Sequence, residues 1–159
     1  MNTGPSGNIN NISFVKKYHL SARSQSISLS GHTTMVNWTI ATESACASSL
    51  NTTSGVWTCP ATGVYWIYYQ PYYTGRRFEQ TDTRLMLNGS SDLGARYFFT
   101  PYRSDSDGAD EYVDDVGDVA IPISIMRPLS ANDTVYLTMR VVNAANMNGI
   151  ATLHIQRIN

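Results

Sequence analysis

The sequence has few charged residues, and this shortage excludes several classes of partner. Asp, Glu, Lys and Arg make up only 14% of the 159 residues, and 11 basic residues nearly balance 12 acidic ones. Nucleic acids require a basic stripe and anionic membranes a basic cluster, so we expect neither partner. There is no run of 18 apolar residues, and we therefore expect no membrane insertion.

Cysteine and histidine are equally sparse. The two cysteines, Cys46 and Cys59, can pair, but a domain of this length needs no disulfide, and two free buried thiols are favoured. The three histidines show no metal-ligand spacing. No nucleophile elbow, phosphate loop or dinucleotide fingerprint is present. Cys59 has no cation or helix start nearby to activate it, so we expect no enzyme and no cofactor.

The N-terminal segment differs from the rest of the chain. Residues 1–11 consist mainly of Gly, Asn, Ser and Pro, which predicts a flexible leader. The segment has neither the basic start nor the apolar centre of a secretory signal. Its brief Gly-Pro-Ser-Gly run is too short for a collagen helix. Residues 12–159 are expected to form one domain.

The residue types that are abundant belong to strands. Tyr accounts for 10 residues, and apolar positions alternate with polar ones in short segments that end at Gly or Asn turns. No segment shows helical periodicity of useful length. Such spacing predicts about ten strands in a sandwich or jelly roll. Strands are expected over 12–20, 36–40, 55–59, 63–70, 82–88, 94–100, 119–126, 135–141 and 153–155, with an edge or bulge at Pro122.

The segment 63–70 breaks the alternation, because both of its faces are apolar. A sandwich gives each strand only one inner face, so the second face needs a cover. Exposed rings there would form an apolar patch unusual for a monomer. We interpret this face as a subunit interface rather than a ligand surface. Its predicted residues are Val64, Trp66, Tyr68, Tyr72 and Tyr73.

The segment 54–67, SGVWTCPATGVYWI, resembles the signature of the C1q/tumour necrosis factor superfamily in its C1q-type form. That signature runs Thr-Gly-x-Phe-x-Cys-Pro-x-x-Gly-x-Tyr-x-Phe. The segment 129–137, LSANDTVYL, is similar to the family's Leu-x-x-Gly-Asp-x-Val-x-Leu, with Asn132 at the glycine. The positions of the first motif that we expect in the core are Trp57, Cys59, Gly63, Tyr65 and Ile67.

The resemblance implies a ten-stranded jelly roll that assembles as a homotrimer, with aromatic residues near the threefold axis. Vertebrate members are secreted behind collagen stalks, and neither a signal nor a stalk is visible here. Bare heads of this kind also occur in phages and viruses as decorations, cement or fibre knobs. We therefore expect a non-enzymatic structural or attachment module on a virion surface, which contacts other particle proteins through residues 1–11. The alternative is a soluble or secreted, lectin-like ligand-binding head that uses calcium and binds a cell-surface glycan.

The stretch 105–118 carries seven carboxylates in fourteen residues. Asp105, Asp107 and Asp110 around a glycine resemble half of a calcium loop, but the glutamate that completes an EF-hand is missing. Some members of the family bind calcium. A solvated loop is favoured over a calcium site here.

Overall fold

The structure is a computed structural model that describes residues 18–29, 31–74, 80–99, 102–104, 110–112, 119–142 and 147–158. The expected leader 1–11 and most of the expected strand 12–20 lie outside these ranges. Throughout the described ranges the chain is built of strands, with one short 3₁₀ turn at Ala47–Ser49. The expectation of an all-β chain is confirmed.

The described ranges contain the following strands in chain order. They are β1 (His19–Ser24), β2 (Ile27–Ser28), β3 (Thr33–Thr34), β4 (Trp38–Ile40), β5 (Trp57–Thr58), β6 (Gly63–Thr74), β7 (Gln80–Leu87), β8 (Ser91–Phe99), β9 (Tyr102–Ser104), β10 (Asp110–Tyr112), β11 (Val119–Ala120), β12 (Ile123–Leu129), β13 (Thr134–Val142) and β14 (Asn148–Arg157).

Two antiparallel sheets face each other. The first sheet has the order β11-β6-β14-β1-β4, with β12 also on β6 and β2 on β14. The second has the order β3-β13-β7-β8, with β5 on β13, and β9 pairs with β10 separately. The core between the sheets holds large rings from the predicted motif, and Trp57, Tyr65 and Ile67 are fully buried. This arrangement confirms the predicted two-sheet sandwich.

Several turns between strands contain residues with left-handed backbone conformation. Asn88 and Gly89 have φ of 51° and 78°, and Ser90 N–H donates to Leu87 O, which makes the β7–β8 connection a type I′ turn. Asn132 has φ of 73°, so it adopts the conformation expected where the family motif has glycine. Asn37 has φ of 56°, and for this reason β4 begins at Trp38 rather than at residue 36.

Two prolines interrupt one ladder. The strand β6 continues through Pro71 to residue 74, four residues beyond the predicted end. Ile121 donates its backbone N–H to Pro71 O at 3.2 Å, but Pro71 has no N–H to return. Pro122 also lacks a donor, so β11 and β12 are separate pieces on the outer side of β6. The expected strand over 119–126 thus lies at an edge, as predicted, but it is divided in two at Pro122.

Candidate functional site

Strand β6 places its odd-numbered and even-numbered side chains on opposite faces. Tyr65, Ile67 and Tyr69 are fully buried, whereas Val64, Trp66 and their even-numbered successors are half-buried. Period-two alternation explains the difference, because successive strand residues point to opposite faces. The apolar outer side predicted for this strand is therefore present in the protomer.

The inner side of the motif is a packed corner. Trp57 and Tyr65 meet edge to face, with ring centroids 5.3 Å apart. The Tyr65 hydroxyl donates to Ala61 O at 2.6 Å, and the Cys59 thiol donates to the same oxygen at 3.2 Å. Burial raises the pKa of Cys59 and of Tyr65. A thiol with a raised pKa holds little thiolate, so this corner is unsuited to nucleophilic chemistry.

Gly63 is half-buried and is not part of the core in which the sequence motif predicts it, because it stands at the very start of β6. Gly63 is the first residue of β6 and pairs with Leu129 without positive φ. The sharp corner lies earlier, at Gly55, where φ is 74°. A Cβ at Gly55 would overlap the carbonyl oxygen of Met35. This position therefore requires glycine for both conformation and space.

We call the outward side chains Val64, Trp66, Tyr68, Tyr72 and Met126 the aromatic face. Trp66 and Tyr68 stack with ring centroids 5.8 Å apart and planes at 24°. Met126 lies opposite Trp66 on β12 and is 63% exposed. These residues give the edge of the first sheet a broad apolar surface that the protomer itself leaves partly open.

The polar groups of Trp66 and Tyr68 donate hydrogen bonds to neighbouring side chains of the same sheet. The Trp66 indole N–H donates to Ser124 Oγ at 3.0 Å. The Tyr68 hydroxyl donates to Gln70 Oε1, also at 3.0 Å. Because these donors already have partners within the chain, the face can be covered by an apolar surface without leaving them unpaired.

Tyr73 does not belong to this face, and its predicted role as an interface residue is corrected. Its side chain is fully buried between the sheets, and its hydroxyl lies 2.6 Å from Thr83 Oγ1 and donates to Asp82 O at 3.2 Å. The reason is its parity on β6, since Tyr73 shares the inner side with Tyr65 and Tyr69. The other four β6 positions predicted for the interface point outward.

Two histidines lie beside the aromatic face, although the sequence separates them widely. Strand β1 pairs with β14 so that Ser21 faces His154 and His19 is its diagonal neighbour. The His154 ring lies 6.1 Å from the Tyr68 ring. Burial, and secondly the charge of His19, lower the pKa of His154. Local sequence patterns carry no signal for this pair, because long-range strand pairing creates it.

A cavity of about 480 Å³ lies beyond the histidines on the same sheet. Its lining comes from β1, β4 and β14 and includes Arg23, Thr39, Thr152 and His154. Trp66, Tyr72 and Met126 are not part of this lining. The aromatic face is therefore distinct from the lining of this cavity.

The second sheet carries a buried carboxylate. Asp82 has a side chain that is 2% exposed and accepts hydrogen bonds from Arg84 Nε and Nη2 at 2.9–3.1 Å. His32 Nε2 lies 3.6 Å from the same carboxylate. This bidentate ion pair satisfies the Asp82 charge within the protomer, which makes it a structural feature of the sheet.

The expected calcium residues are only partly visible. Asp105 and Asp107 lie outside the described residues, and Asp110 is the first residue of β10. Within the described ranges no group of three His, Cys, Asp or Glu side chains is placed to hold a metal ion.

Cys46 and Cys59 are free, buried thiols. No helix in the described part of the chain has the length and apolarity needed to cross a bilayer.

Comparisons with known proteins bear on the fold. No protein-family model matches the sequence, and no curated protein matches it either. Among solved structures, the chain is similar to the globular domain of zebrafish complement 1qA, with a TM-score of 0.60, 13% identity, and coverage of 90% of this chain and 98% of the other.

Two further structures are similar over most of the chain. Eiger TNF from S. frugiperda gives a TM-score of 0.64 at 12% identity, covering 89% of this chain and 92% of the other. Murine APRIL gives a TM-score of 0.53 at 12% identity, covering 85% and 98%. The chain thus has the C1q/TNF jelly-roll fold that the 54–67 motif predicts.

Proposed function

We propose that this chain is a non-enzymatic C1q/TNF-type head that associates with copies of itself through the aromatic face to form a homotrimer. The observation that carries the proposal is the outward side of β6 and β12. Trp66, Tyr68 and the 63% exposed Met126 make one apolar surface there. Burial of such a surface contributes about 25 cal/mol per Å² before the costs of ordering.

A second copy fits this face better than a glycan does. Sugar sites are concave and offer free polar groups, whereas the Trp66 indole N–H and the Tyr68 hydroxyl already have partners within the chain. The cavity lined by β1, β4 and β14 does not include Trp66. The resemblance of the 54–67 motif to the C1q/TNF signature supports a threefold arrangement with aromatic residues near the axis.

The comparisons favour a ligand-binding head over a virion protein. Two of the similar structures are named as a complement globular domain and a TNF. At 12–13% identity these names support the fold, and they make an extracellular head the first candidate setting. Attachment to a virion through residues 1–11 stays a prediction. Calorimetry with calcium and a glycan array test ligand binding, and a blank result in both would oppose the ligand-binding role.

The variant Trp66→Asp tests the assembly. A carboxylate in a desolvated apolar contact is costly, so we expect the light-scattering mass to fall to the 17.6 kDa of one chain. Thr58→Asp is the matched control, because Thr58 is exposed on β5 of the second sheet, and it should keep the wild-type mass. Far-UV circular dichroism verifies that both variants fold. A folded Trp66→Asp variant that retains the wild-type mass would refute the assignment.

A further inference from the structure

The two histidines beside the aromatic face lie on the same side of the first sheet. His154 on β14 contacts the Tyr68 ring at 6.1 Å, and His19 is its diagonal neighbour on β1. Both side chains lie on the outward side of the first sheet, as their alternation with buried Leu20 and Leu153 shows. A partner that covers Tyr68 therefore also removes water from His154.

Few groups nearby can neutralise a charged imidazole. On the outward side of the described first sheet, β1 contributes Arg23 and β6 contributes the tyrosines Tyr68 and Tyr72, while β4 presents Thr39. The edge strand β12 presents uncharged Ser124 and Met126, and the β14 neighbours of His154 are Thr152 and Gln156. None of these is a carboxylate.

Within the described ranges, the loop after β4 and the end of β14 form no ion pair with either histidine. Glu43 lies in the loop after β4, where it is exposed and accepts a hydrogen bond from Thr42 Oγ1 at 3.5 Å. Arg157, at the end of β14, is itself a cation and lies over the Tyr18 ring at 4.9 Å. Protonation of His154 or His19 thus adds positive charge to a surface that already carries Arg23.

We propose that acid releases the copies from one another, because protonated His154 and His19 oppose coverage of the aromatic face. The inference rests on the proposed self-association. An imidazolium ion that loses water without gaining a counter-ion is strongly disfavoured in a contact. Histidine is the side chain that changes charge near neutral pH, so the release falls on the acid side of neutrality.

The pKa of His154 supports the direction of the effect. Burial and the neighbouring His19 already lower it in the single protomer. The folded chain therefore favours the neutral form of His154. This neutral form supports association above about pH 6.5, and the support is lost as the pH falls through the lowered pKa of His154. Linkage between proton binding and association sets how steeply association depends on pH. If each of the three subunits must release one proton, the trimer association constant falls about a thousandfold per pH unit below the lowered pKa of His154.

Light scattering at pH 8.0 and pH 5.5 tests the inference. We expect a trimer at the higher pH and a single-chain mass at the lower pH, with the same far-UV circular dichroism at both. For the double variant His19→Gln, His154→Gln the mass should not differ between the two pH values. His32→Gln is the matched control, since His32 lies beside Asp82 on the second sheet, and its mass should depend on pH as in the wild type.

Each other outcome overturns a defined claim. A wild-type mass that stays threefold at pH 5.5, or a double variant that still dissociates in acid, refutes the histidine mechanism while leaving self-association intact. A single-chain mass already at pH 8.0 refutes the proposed trimer, and the acid release with it. If His32→Gln removes the pH dependence, the sensor lies on the second sheet instead.

Discussion

Substitution of Gly55 is the sharpest test of the packed corner before β5. Gly55 is buried and has φ of 74°. A Cβ there would overlap the Met35 carbonyl oxygen and would lie 3.0 Å from Trp38 Nε1. That carbonyl accepts the Trp38 indole N–H at 2.9 Å in the interior. Gly55→Ala must therefore displace the backbone and break this hydrogen bond.

The expected size follows from two contributions. Holding alanine in the left-handed region costs about 1–2 kcal/mol. Leaving the buried indole N–H without a partner costs about 1–3 kcal/mol. Together they predict a loss of about 2–5 kcal/mol in the free energy of unfolding. Gly89→Ala is the matched control, because Gly89 has φ of 78° but a Cβ added there would meet no atom within 4 Å. It should lose only the first contribution.

Urea unfolding followed by tryptophan fluorescence measures both variants, at one protein concentration so that association affects them equally. Gly55→Ala should unfold at a clearly lower urea concentration than Gly89→Ala. Equal midpoints for the two variants would contradict the close approach of Gly55 to Met35, because backbone conformation alone would then account for both losses.

Three further results are expected. Burial raises the pKa of Cys46 to about 11 and also raises that of Cys59, so a thiol reagent at pH 8 should label neither cysteine before unfolding, and fast labelling would oppose their burial. Tyr73→Phe should lower the free energy of unfolding by about 1 kcal/mol in thermal denaturation without changing the light-scattering mass. A variant that dissociates into single chains would show that Tyr73 belongs to the interface after all. Arg84→Met removes the charged hydrogen bonds to the Asp82 carboxylate and should cost about 2 kcal/mol in urea unfolding. An unchanged midpoint would show that the ion pair contributes nothing.

Much of the fold is readable in the sequence, because strand alternation is a local property. The polar–apolar pattern of 135–141 predicts β13, and the structure extends it by only one residue at each end. The motif positions Trp57 and Tyr65 are core residues, as expected. Asn132 also adopts the left-handed conformation that its place in the second motif requires.

Other features depend on information that no short segment contains. Tyr72 and Tyr73 are neighbours along the chain, and the sequence pattern therefore predicts both at the interface. Because β6 continues through Pro71, the two side chains point to opposite faces of the sheet. The neighbourhood of His19 and His154 arises from the pairing of the first and last described strands. Such pairings are set by the global sheet order, so a local pattern cannot reveal them.

The mass of the unmodified protein in solution tests the central claim most directly. Sedimentation equilibrium at pH 8.0, over a range of protein concentrations, determines this mass without any substitution. The proposed assembly through the aromatic face predicts three times the 17.6 kDa of one chain. A mass of one chain at every concentration would contradict it.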